Sequence, residues 1–154
     1  EDAVEDRLAV LGFADLQVGR LRRGGNGIPQ RVDHVQPRLF AGELPQFNIG
    51  DNDGATCAPQ LTQAVEAACA VSGDSLVVNG RFKGGWTTRH YGRPQVGVHA
   101  IQMELADRGY MREPAEGLTP ENWPSPYEPD RAEPMRGHLR RVLTACIAFA
   151  ESQR

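Results

Sequence analysis

The sequence carries no excess of positive charge. In 154 residues, 17 Lys and Arg stand against 20 Asp and Glu, a formal charge of −3. No basic run is interleaved with aromatics, so nucleic acid is not expected as a partner. Long apolar runs are lacking as well. The longest fall far below the roughly 20 residues that a helix needs to cross a bilayer, so no membrane span is expected. The first residues, Glu1 to Asp6, are acidic. That is the opposite of the basic start of a secretory signal, and a cytoplasmic setting is the expectation.

Reactive and metal-binding patterns are equally scarce. The three cysteines, Cys57, Cys69 and Cys146, are odd in number and form no CxxC pair. Cys69 and Cys146 fall in stretches with helical spacing among apolar neighbours, so buried free thiols are expected. The four histidines, His34, His90, His99 and His138, show none of the HxxE or HxxxH spacings that bring two ligands together. No metal ligand is therefore identified. Ser72, Ser75, Ser125 and Ser152 lack the strand–turn–helix context of a nucleophile elbow, which argues against a serine hydrolase.

Glycine and proline are plentiful, 17 and 11 residues, and clustered over 24–27, 80–97 and 114–134. Such clusters predict long ordered loops, where enzymes tend to place chemistry. The chain length suits one domain. Val4, Leu8 and Leu11 are spaced for a short helix over 2–11, whereas the basic, glycine-rich 19–36 reads as loop. Turn formers Gly42, Pro45, Gly50, Asn52, Asp53 and Gly54 follow. A helix is predicted over 59–72, opened by Pro59 and closed at Gly73. Residues 75–79 read as a short buried strand, and 80–93 as a loop. A second strand is predicted over 96–105, with Gln102 and Glu104 on one face and His99, Ile101, Met103 and Leu105 on the other. After a proline-rich connection over 114–129, a final helix is predicted over 134–151. Its apolar stripe is Leu139, Val142, Leu143, Cys146, Ile147 and Ala150. This order predicts an α/β fold with a largely buried sheet.

The loop 80–93 holds Arg81, Lys83, Arg89, His90 and Arg93 among four glycines. Arginine forks suit carboxylates, and glycine lets backbone approach a ligand. A loop directly after a strand is also where α/β proteins commonly bind small molecules. The plainer alternative is a solvated basic loop with ordinary ion pairs. Glu104 is the second candidate, because a carboxylate in an apolar strand is costly to bury without a partner. A general base is one reason to keep it; a strand half open to solvent is the other.

The segments PRLF (37–40), GELP (42–45) and FNIG (47–50) resemble the N-formylglutamate amidohydrolases. The likeness strengthens in NGRFKGG (79–85), TRHYG (88–92) and GVHAIQMEL (97–105), short motifs that are specific through their common order. It covers 37–154. The resemblance implies metal-dependent hydrolysis of N-formyl-L-glutamate to formate and L-glutamate, the last step of one histidine-degradation route. It implies a mixed sheet flanked by helices, similar to zinc carboxypeptidases. By the same resemblance Glu104 is the general base, Arg81 and Arg89 grip the substrate carboxylates, and His90 lines the pocket.

The departures are specific too. The family's zinc ligands come from a PHSG turn, an acidic residue soon after it, and a DxHS segment just before PRLF. None of these is found here. Gln30 stands roughly at the place of the last histidine, with Asp33 and His34 nearby in the wrong register. Zinc is thus expected for the family without identifiable ligands in this chain. Residues 1–36 read as an altered segment, with the N-terminal part of the family's domain absent. The alternative function is a truncated, non-catalytic remnant that binds glutamate-like carboxylates. An open sheet edge in such a chain implies self-association.

Overall fold

Polar and apolar residues alternate along Phe47–Gly50 (β2) and His99–Leu105 (β4), which gives the sheet two unlike faces. The computed structural model describes the backbone of residues 9–13 and, with side chains, residues 43–115 and 119–153. Phe47, Ile49, Ile101 and Met103 point to one side and are buried. Asn48, Gly50, Gln102 and Glu104 belong to the other side. The two strands are antiparallel, with Asn48 opposite Glu104 and Gly50 opposite Gln102.

Leu76–Val78 (β3) runs parallel to β2, and Ala9–Phe13 (β1) runs parallel to β4. The order is β1-β4-β2-β3, a mixed sheet. This agrees with the α/β expectation. Two further readings change. Ala9–Phe13 is a strand where helical spacing was expected over 2–11, because a short apolar run fits either period and pairing with β4 decides it. The expectations for 2–8 and for 19–36 lie outside the described residues. β3 is half-buried rather than buried, since it stands at the sheet edge.

Pro59–Ala70 (α1) and Pro129–Ser152 (α3) cover the apolar face. Leu61, Val65 and Cys69 of α1 meet Met135, Val142, Cys146 and Phe149 of α3 over the inward residues of β2 and β4. Each large apolar side chain buried there contributes about 1.5–3 kcal/mol, so this face carries most of the stability. Gly73 closes α1 at φ +77, a conformation that favours glycine, and its N–H donates to Ala70 at 3.1 Å. The helix predicted over 59–72 is thereby observed, ending two residues earlier at Ala70, with Gly73 following the turn.

α3 begins earlier than the predicted residue 134. Pro129 takes the first turn, and Pro134 inside the helix forfeits a single hydrogen bond near its start. The buried stripe is also rotated. Ala132, Met135, Val142, Cys146 and Phe149 face the core, whereas Leu143 and Ile147 are 37% and 59% exposed. Spacing alone allows either stripe, and packing against α1 selects one. All three cysteines are buried free thiols, as expected, and burial first of all pushes Cys69 and Cys146 up to about 11. His99 is a core residue whose Nδ1 accepts from the Ala58 N–H at 3.1 Å. No helix among the described residues is long and apolar enough to cross a membrane.

Candidate functional site

The loop predicted over 80–93 is folded back onto the polar face of the sheet and contains a short helix, Trp86–Tyr91 (α2). Six residues rich in aromatics and β-branched side chains do not form a helix by propensity. The strands beneath impose it. Gly50 makes the approach feasible: a Cβ there would meet the Lys83 carbonyl carbon at 2.7 Å and the Gly84 nitrogen at 2.8 Å. The Asn52 N–H donates to the Lys83 carbonyl at 2.5 Å.

Two side-chain amides hold the loop to adjacent strands. Asn48 on β2 takes the whole Phe82 peptide: its Nδ2 donates to the carbonyl at 2.6 Å, and its Oδ1 accepts the Phe82 N–H at 3.2 Å. Gln102 on β4 accepts the N–H of Gly85, which caps α2, through Oε1. Its Nε2 donates to Glu104 Oε1 at 2.6 Å.

The base of the loop is fixed by Asp51, a buried carboxylate. It accepts from Thr62 Oγ1 at 2.7 Å, Asn79 Nδ2 at 2.5 Å and the Gly54 N–H at 2.8 Å. Burial pushes its pKa up, but these hydrogen bonds outweigh burial and hold it below the ordinary value. Asn79 itself sits at φ 52 at the end of β3, a turn conformation that asparagine tolerates.

Glu104 is half-buried, and its pKa is raised by burial, with the Gln102 hydrogen bond acting in the opposite direction. Gln102 beside it is buried, so the strand is covered at Gln102 and partly open at Glu104. The nearby Tyr110 phenol donates to Asp107 at 2.7 Å. Burial first, then Asp107 and the charge of Glu104, push that phenol well above its ordinary value.

Of the four predicted site residues, Arg89 and His90 are neighbours on α2, and Glu104 is linked to the start of that helix through Gln102. Arg89 lies on α2, and its guanidinium donates to the Gly84 carbonyl, next to the Gly85 N–H that Gln102 holds. Arg81 is half-buried beside the peptide that Asn48 grips, with its guanidinium 5.4 Å from the Phe82 ring centre. His90 is exposed and stacks on Trp86 with ring centres 4.3 Å apart, and Tyr91 meets both edge-on. Lys83 pairs with Asp53 at 2.9 Å in an exposed ion pair.

Asn48 and Asp51 are additions to the predicted set. Their signal was a polar residue between two core residues of a strand, and an acidic residue directly after it. Among the described residues no three His, Cys, Asp or Glu side chains come together as metal ligands. Gln30, Asp33 and His34 lie outside the described residues. The zinc implied by the resemblance therefore has no ligand set among the described residues.

Residues 32–111 match the family model described as N-formylglutamate amidohydrolase. The chain is 47% identical over 121 residues to an N-formylglutamate deformylase of Pseudomonas aeruginosa, and 44% identical over 114 residues to one of Pseudomonas putida. These matches cover 78% and 73% of this chain, but the chain spans only 42% and 40% of those proteins' lengths. A crystal structure of N-formylglutamate amidohydrolase from Ralstonia eutropha JMP134 superposes with a TM-score of 0.53 at 24% identity, covering 77% of this chain and 39% of that one. That last likeness is one of fold. The motifs on the polar face lie within the matched segment, and the chain belongs to the N-formylglutamate amidohydrolase family.

Proposed function

We propose that this chain carries the general base and the carboxylate-binding loop for hydrolysis of N-formyl-L-glutamate to formate and L-glutamate. The observation that carries this reading is a half-buried carboxylate, Glu104, tied through Gln102 to the start of an arginine-bearing helix. A carboxylate whose pKa is raised by burial is a stronger base than a solvated one. In this role Glu104 takes a proton from the water that attacks the formyl carbon. Such general-base help is worth about 10²–10⁴ in rate. Arg81 and Arg89 bind the carboxylates of the substrate through paired hydrogen bonds, and His90 borders the same loop.

The family likeness further suggests a zinc-carboxypeptidase-like fold, a cytoplasmic protein and a place at the end of histidine degradation. A zinc ion is part of that expectation, but the described residues offer no ligand set for it. The same observation favours a second reading, a non-catalytic chain that binds glutamate-like carboxylates.

Formate release from N-formyl-L-glutamate, with and without added zinc, tests both, alongside calorimetric binding of the substrate. Metal-dependent turnover that disappears in Glu104→Gln while binding persists supports the enzyme. Binding without turnover in the parent supports the second reading. Chelator-resistant formate release, unchanged in Glu104→Gln, would mean that Glu104 is not the base.

A further inference from the structure

We propose that Gln102 is a positioning residue that ties the Glu104 carboxylate to the start of α2, so that the base and the substrate loop are held as one unit. The inference rests on the reading of Glu104 as general base. Gln102 is 6% exposed, although it lies on the polar face of β4. An amide is costly to bury there unless both of its ends are used, and both are. Its Nε2 donates to Glu104 Oε1 at 2.6 Å, and its Oε1 accepts the Gly85 N–H.

The geometry explains why an amide suits this position. Residues two apart on a strand share a face, so the Gln102 side chain can lie along β4 toward Glu104. On the neighbouring strand Gly50 stands opposite Gln102 and contributes no side chain, which leaves room for the Lys83–Gly85 backbone. A carboxylate at position 102 would keep the acceptor for Gly85 but present a second negative charge to Glu104. An apolar side chain would leave both partners unmet. Only a side chain with a donor and an acceptor serves both.

Among the described residues the other groups around Glu104 are few. Across β2 it meets Asn48, which is neutral and occupied with Phe82. The turn after β4 brings Tyr110, whose phenol feels the Glu104 charge and is bonded to Asp107. The packed helix α2 carries Arg89 and His90. Among the described residues Gln102 is the side chain that donates a hydrogen bond to the Glu104 carboxylate, and so it governs the orientation of that group.

The test is site-resolved carbon NMR titration of Glu104, together with amide exchange at Gly85, in the parent, Gln102→Glu and Gln102→Leu. Glu104→Gln assigns the resonance. The Glu104 titration is expected to move up by roughly one pH unit in Gln102→Glu, where a donor is replaced by a like charge. Gly85 exchange stays slow in that variant, because the acceptor remains, and rises roughly tenfold or more in Gln102→Leu. An unchanged Glu104 titration in Gln102→Glu overturns the proposal, as does unchanged Gly85 exchange in a folded Gln102→Leu. Should Gln102→Leu fail to fold, the Gln102→Glu titration decides by itself. Neither readout needs turnover, so a failure here is distinct from a failure of the general-base reading, which formate release would reveal.

Discussion

Asn48 lies directly across the sheet from Glu104, and from that position it holds both polar groups of the Phe82 peptide. The carboxylate and the anchor of the arginine loop are thus neighbours on one face of two adjacent strands. Asn48→Ala is expected to leave the Phe82 N–H and carbonyl without partners and to cost about 1–3 kcal/mol of stability. Chemical denaturation measures the loss. Amide exchange should place it in the loop, with Phe82 exchanging faster than residues of α1.

Arg81→Ala and Arg89→Ala should each weaken binding of N-formylglutamate more than Lys83→Ala does. Arg81 is half-buried and Arg89 exposed, so each guanidinium is desolvated only when the substrate covers it; removing one partner of such a covered pair costs about 2–5 kcal/mol. Lys83, by contrast, is engaged in an exposed pair with Asp53, and such pairs are worth at most about 1 kcal/mol. Calorimetric titration of the three variants decides; equal affinities would reduce the loop to a basic surface.

Glu104→Gln is expected to stabilise the protein at neutral pH. The raised pKa of Glu104 means that the folded state prefers the protonated form. Its favourable contribution is therefore present below the unfolded value of 4.5 and is lost as pH rises through the folded pKa. The gain should be up to about 1 kcal/mol, kept small by solvent reaching the half-buried group. It should vanish in melts carried out below pH 4.5. A variant less stable than the parent at pH 7 would contradict this.

Asp51 has the opposite sign. Its lowered pKa gives stability that is present above the unfolded value of 3.8 and lost as pH falls through the folded value. Asp51→Ala strips partners from Thr62, Asn79 and Gly54 together and should cost about 2–3 kcal/mol at neutral pH. The difference from the parent should narrow in strongly acidic solution, as followed by denaturant midpoints. A constant difference from pH 7 to pH 2 would show that the carboxylate charge is unimportant.

Leu143 and Ile147 stand one turn apart on the outer side of α3, 37% and 59% exposed. Together with the edge strand β3, they support the expectation of self-association. Replacing both with lysine should shift sedimentation toward the monomer without lowering stability by more than about 0.5 kcal/mol. A parent that sediments as a monomer at high concentration would remove the basis for this.

Much of this protein is legible in the residue order because it depends on neighbours in the chain. Pro59 and Gly73 bracket α1, alternation marks β4, and apolar surroundings foretell the buried cysteines. The family motifs are likewise local strings, and they named Glu104, Arg81 and Arg89 as candidates. Tertiary structure decided the rest. Whether Gln102 and Glu104 face solvent or a covered site depends on what lies over the sheet, and period-two spacing is blind to that. α2 exists because Gly50 lets the loop backbone approach the strands and because Asn48 and Gln102 hold it there. The buried stripe of α3 was chosen between two apolar rows by contact with α1, and β1 became a strand by pairing with β4. In each case two local arrangements are close in energy, and burial or hydrogen bonding against a distant segment separates them.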